Sequence, residues 1–109
     1  MINLENIRGL IDSSIYDSFE EDPDLYDNIS KQVKLDIEEF RAIDYTALPK
    51  WYNKIYSRFL EYRALRVVEV SADLQNRIDR DFNLAIEFLQ GINIQSAVSP
   101  KVTINGVTT

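Results

Sequence analysis

The chain has 109 residues, a formal net charge of −6, and neither cysteine nor histidine. Without thiols there are no disulfides or thiolate metal sites, and without imidazole the usual general base at neutral pH and the commonest metal ligand are both missing. The acidic balance argues against non-specific binding to nucleic acid or anionic membrane, while an apolar content of 45% is enough for one folded core at this length.

Glu5 and Arg8 interrupt the N-terminus, so it does not read as a signal peptide. No apolar run reaches the roughly 18 to 20 residues that a membrane span needs. Asn3 is placed to cap a short helix from Leu4 to about Ile11, in which Leu4, Ile7 and Ile11 share a face and Gly9 is a weak point. Ser13 to Asp22 reads as a connection carrying an acidic run of Asp17, Glu20, Glu21 and Asp22, continued by Asp24 and Asp27.

Pro23 suits the first turn of a second helix, with Asp22 as its cap and Asp24 favourable at the positive end of the dipole. Leu25, Ile29, Val33, Ile37 and Phe40 make an apolar stripe that carries this helix to about Arg41. Ile43 to Leu48 is a loop, because a residue before proline is pushed out of helical geometry, and Pro49 opens a third helix. On it Tyr52, Ile55, Phe59, Tyr62 and Leu65 form one apolar face, and Tyr56, Leu60, Ala64 and Val67 a second beside it. Such a helix sits centrally in a bundle.

Val67, Val68 and Val70 predict a bend near Val70, and Ser71 a cap for a fourth helix with Asp73 in its first turn. Leu74, Ile78, Phe82, Ala85, Ile86 and Leu89 face the core, and Gly91 is positioned to stop the helix in the left-handed conformation. Beyond it, residues 92–109 carry no charge except Lys101, and Val102, Ile104 and Asn105-Gly106 suggest extended structure or a turn. The expected fold is all-α: a small bundle of about four helices over residues 1–91, with an extended C-terminal tail over 92–109.

Several positions stand out, each with a plainer alternative. Leu35 lies opposite the core stripe of its helix, although single exposed leucines are ordinary. Leu84 and Phe88 share a face flanked by Arg77 and Arg80, which marks either a subunit contact or packing under the first helix or the tail. Lys50, Lys54 and Arg58 repeat every fourth residue, and such a basic stripe either meets the acidic run of Asp17, Glu20, Glu21, Asp22 and Asp24 on a neighbour or stays solvated. A head-to-tail contact of that kind closes rings or runs on as filaments. Carboxylate pairs such as Asp36 with Glu39, or Asp79 with Asp81, lack any partner motif, and Gly9, Gly91 and Gly106 are too far apart for a phosphate loop. The expectation is therefore a binding protein, not an enzyme, with no cofactor and no metal.

The stretch Leu4-Glu5-Asn6-Ile7 through Ile11-Asp12, then Glu21-Asp22-Pro23-Asp24-Leu25 leading into Ile29, Val33 and Ile37, and finally Asp81-Phe82-Asn83-Leu84-Ala85 with Leu89 and Gly91, resembles the head-tail connector (adaptor, or head-completion) proteins of tailed bacteriophages. The resemblance spans residues 1–91. It implies a helical subunit of the virion neck that assembles as a homo-oligomeric ring, commonly of twelve copies, under the portal protein. The ring meets a tail or stopper protein and leaves a channel through which DNA passes without specific binding; no membrane is involved. The residues expected at its subunit interface are those of the acidic run, the basic stripe, Leu35, Arg77, Leu84 and Phe88. Ile92, Ile94, Val98, Val102, Ile104 and Val107 are expected to contact a partner, as a strand added to a sheet edge. The alternative is a small acidic inhibitor that mimics DNA with its carboxylates.

Overall fold

The first α-helix starts at Asp12, not at Asn3. The computed structural model describes the backbone of residues 2–97 and the side-chain surroundings of residues 2–91. Asn3 makes no side-chain cap bond, and Leu4–Ile7 is a single 3₁₀ turn. The longer first helix expected there is cut short at Gly9, whose φ of 86° lies in the left-handed region that only glycine enters without strain. Asp12 then caps α1, Ser13–Glu21, by accepting the Ser14 backbone N–H at 3.0 Å and the Ser14 hydroxyl. This helix replaces the connection expected over Ser13 to Asp22. Ile15, Tyr16 and Phe19 fall on its inner face and are buried, while Asp17, Glu20 and Glu21 take the outer face.

α2, Pro23–Glu38, begins as its sequence dictates, with proline in the first turn and the Asp22 carboxylate accepting the Leu25 N–H at 3.2 Å. Ile29, Val33 and Ile37 are buried, and Leu25 and Phe40 pack at the margin of the core. The helix proper ends at Glu38, and its last turn closes near Arg41 as expected, the Ile37 carbonyl accepting both the Phe40 N–H at 3.0 Å and the Arg41 N–H at 3.1 Å. Pro49 lies one turn ahead of α3, Tyr52–Ala64, where its carbonyl accepts the Tyr52 N–H at 3.0 Å.

α3 packs on α2 and on α4 and is the central helix. Tyr52, Ile55, Tyr56, Phe59, Leu60 and Ala64 are buried. Val67, expected on the second apolar face, is exposed because the helix ends at Ala64 and turns away before reaching it. A chain of buried hydroxyls threads the core: Ser30 pairs with Tyr56, Tyr56 with Tyr26 at 2.8 Å, and Tyr26 donates to the Ile2 carbonyl at 2.6 Å. It ties the N-terminal residues to α2 and α3, and the hydroxyls of Ser30, Tyr56 and Tyr26 are all paired within it.

Ser71 caps α4, Ala72–Ala97, by accepting the Leu74 N–H at 3.2 Å. Ile78, Ala85 and Leu89 are buried against α3, and Phe82 stacks on Tyr62 with ring centroids 3.7 Å apart. Gly91 does not stop this helix. It lacks the positive φ of a left-handed terminus, and α4 continues through it to Ala97. Ile92 and Ile94 therefore lie on helical backbone, while Val98, Val102, Ile104, Val107 and the expected Asn105-Gly106 turn fall outside the described residues. The architecture is an all-α bundle of four helices, with no strand among the described residues.

Candidate protein-binding groove

Within the run Phe59-Leu60-Glu61-Tyr62 one carboxylate points inward. The Glu61 side chain is only 1% exposed, and an ionised group so buried requires charged partners and hydrogen bonds. It has both. Arg58 Nη1 donates to Oε1 at 2.8 Å, Arg77 contributes Nη1 and Nη2 at 3.2 and 3.0 Å, and the Asp12 backbone N–H donates to Oε2 at 2.8 Å. Arg58 Nη2 also reaches the Leu10 carbonyl at 2.8 Å, and Arg77 reaches Asp81 at 3.2 Å. This cluster joins the N-terminal segment, α3 and α4 in one ionic node.

The protonation states in the node follow from these contacts. The hydrogen bond to Glu61 raises the Arg77 pKa above its ordinary value. Burial pushes the Asp81 carboxyl up, but hydrogen bonds from Arg77 and Arg80 outweigh it and leave the group below the usual carboxylate range. On the far side of α3, two residues on and so about 200° around the helix, Arg63 clamps Asp36 of α2 with two hydrogen bonds of 2.7 Å. Neither Asp36 nor Asp81 is thus a member of a free acid-base pair.

Arg58, Arg77 and Asp81 form one end of an open-sided groove of about 600 Å³ between α3 and α4. Ile55 and Ala85 make its floor, and Trp51 closes the other end against Phe88, ring centroids 5.6 Å apart. Leu84 and Phe88 line the wall yet remain 56% and 43% exposed. Lys54 stands on the rim, exposed, one turn along α3 from Trp51. The groove is apolar along most of its length and charged at one end, a composition suited to a side chain from another protein.

The expected interface residues distribute unevenly over this geometry. Leu84 and Phe88 come together as expected, and Leu35 is 63% exposed on α2, away from the groove. Asp17, Glu20, Glu21, Asp22 and Asp24 are all exposed at the α1–α2 corner, with Glu20 reached by Arg8 at 3.6 Å. The basic stripe does not hold as a stripe: Lys50 and Lys54 are exposed, but Arg58, 17% exposed, is turned inward to Glu61. Arg77 is likewise held by the node and is not a free surface cation. Trp51, Glu61 and Arg63 escape a reading of the sequence. The available signal for Glu61 is a lone acid inside an otherwise apolar run, three residues after an arginine.

A smaller cavity of about 220 Å³ lies where Ile2, Ser30 and Tyr56 meet Tyr45 and Tyr52. Burial raises the pKa of Tyr26, Tyr52 and Tyr56, so these hydroxyls stay protonated, and those of Tyr26 and Tyr56 are spent in the internal chain. Among the described residues no group of three acidic, histidine or cysteine side chains is placed to hold a metal ion, and no helix is long and apolar enough to cross a membrane. Comparison with known protein families, curated proteins and solved structures finds no match to this chain.

Proposed function

We propose that this chain is a structural binding subunit, and specifically a head-to-tail connector of a tailed-phage virion that forms a ring below the portal and joins capsid to tail around a DNA channel. It performs no catalysis and needs no cofactor in this reading. The observation that carries it is the α3–α4 groove, where Leu84 and Phe88 stay exposed beside an ionic node that holds both groove walls in place. Solvent-exposed apolar side chains gathered in a concave, rigid site favour protein association. A ring subunit also needs two unlike surfaces, and the groove and the outer face of α2 differ in shape and charge. The acidic α1–α2 corner suits a channel wall, because like charges let DNA slide without counterion release.

The test is light scattering and negative-stain imaging of the purified chain, alone and mixed with phage portal rings. Rings of the chain, or portal rings carrying added density, are expected. A monomer that never associates with portal contradicts the proposal. The exposed acidic corner favours a second reading, an inhibitor that mimics DNA, and charge reversal at Asp22 and Asp24 separates the two. The mimic then loses salt-sensitive affinity for a basic protein target, whereas the connector keeps its ability to assemble.

A further inference from the structure

We infer that the α3–α4 groove is filled by Leu35 from the α2 outer face of a second copy of this chain, an inference that rests on the assembly reading above. Leu35 is the most exposed large apolar side chain among the described residues, and its own groove contains no α2 residue. One copy therefore presents a knob and a hole that it cannot bring together by itself. Charges of opposite sign flank the knob and the hole. Lys31 precedes Leu35 by one turn and Glu38 and Glu39 follow it by one, all exposed and on the same face of α2. Along the groove, Lys54 is exposed between Trp51 and the Arg58–Arg77 end.

A helix laid with Leu35 between Leu84 and Trp51 thus sets Glu38 and Glu39 toward Lys54. Burial of Leu35 supplies the affinity, while pairing of Lys54 with Glu38 and Glu39 adds specificity. The knob and the hole occupy different surfaces, so the contact is head to tail and is repeated from copy to copy.

The chain has no cysteine, which permits a direct test by engineered disulfides. Leu35→Cys and Leu84→Cys are made separately, both at exposed positions, and one variant carries an affinity tag so that mixed and like pairs resolve on a gel. Oxidation of the mixture is expected to yield mixed dimers in excess over like pairs, and the double variant a ladder of higher oligomers. Leu35→Ser is expected to weaken self-association by about 10- to 150-fold. Lys54→Glu is expected to restore what Glu38→Lys with Glu39→Lys takes away. Like pairs alone, or no crosslink between the two cysteine variants while light scattering shows the wild type to be associated, overturn the inference and leave the assembly reading standing. A chain that is monomeric at its highest soluble concentration also overturns it, leaving residues 98–109 or a different protein as occupant; binding of that monomer to portal rings then decides the assembly reading separately.

Discussion

Four donors from three segments converge on Glu61 in a place water does not reach. Glu61→Ala leaves Arg58 and Arg77 without their partner and is expected to cost about 3–5 kcal/mol in urea unfolding; a loss below about 1 kcal/mol contradicts the node. Tyr56→Phe removes the middle of the hydroxyl chain from Ser30 to Tyr26 and is expected to cost about 1–3 kcal/mol. Two carboxylates give the fold an acid limit. The Ser14 hydroxyl holds Asp12 below the usual carboxylate range, and the contacts of Asp81 leave it there as well. Folding thus lowers both pKa values, so the stabilisation is complete above the unfolded pKa and is lost as pH falls through the folded one. Melting temperature is expected to drop between about pH 5 and about pH 3, and a flat profile across that window contradicts these assignments. Of this polar architecture little is legible in the sequence. Arg58 and Glu61 stand in ordinary helical spacing for an ion pair, and spacing does not say whether the pair faces water or the core. The same ambiguity makes Lys50, Lys54 and Arg58 read as one stripe when only the two lysines are exposed.

Elements with a strong start signal and one apolar stripe are the legible ones: α2 begins at Asp22-Pro23, α4 follows the Ser71 cap, and both turn the residues their periodicity selects toward the core, burying Ile29, Val33, Ile37, Ile78, Ala85 and Leu89 and packing the others at its margin. α1 is hidden because its charges crowd a nine-residue span in which only three residues are buried, so acidity outweighs a short stripe. Gly9 and Gly91 are alike in sequence and opposite in role, a difference that depends on backbone geometry alone. An added Cβ meets nothing within 4 Å at either position, so backbone conformation decides both outcomes. Gly91→Ala in mid-helix is expected to stabilise the protein by about 0.5–1 kcal/mol, whereas Gly9→Ala at φ 86° is expected to destabilise it by a similar amount. Thermal unfolding of the two variants checks this, and a loss of stability in Gly91→Ala restores the helix stop at that residue.

At the scale of the whole molecule, the bundle leaves an apolar groove on one surface, an exposed leucine on another and an acidic corner on a third. Leu35, Leu84 and Phe88 are visible in the sequence as apolar residues off the core stripe; what converts two of them into a site is Trp51, brought against Phe88 only by the packing of α3 on α4. That concave, rigid surface and its counterpart on α2 are the physical basis for reading the chain as one unit of a repeating assembly. Native mass spectrometry of the chain mixed with phage portal rings is the most direct measure of that claim. Portal complexes heavier by a fixed whole number of 12.7 kDa copies are expected; portal rings of unchanged mass beside free single chains would contradict the assembly.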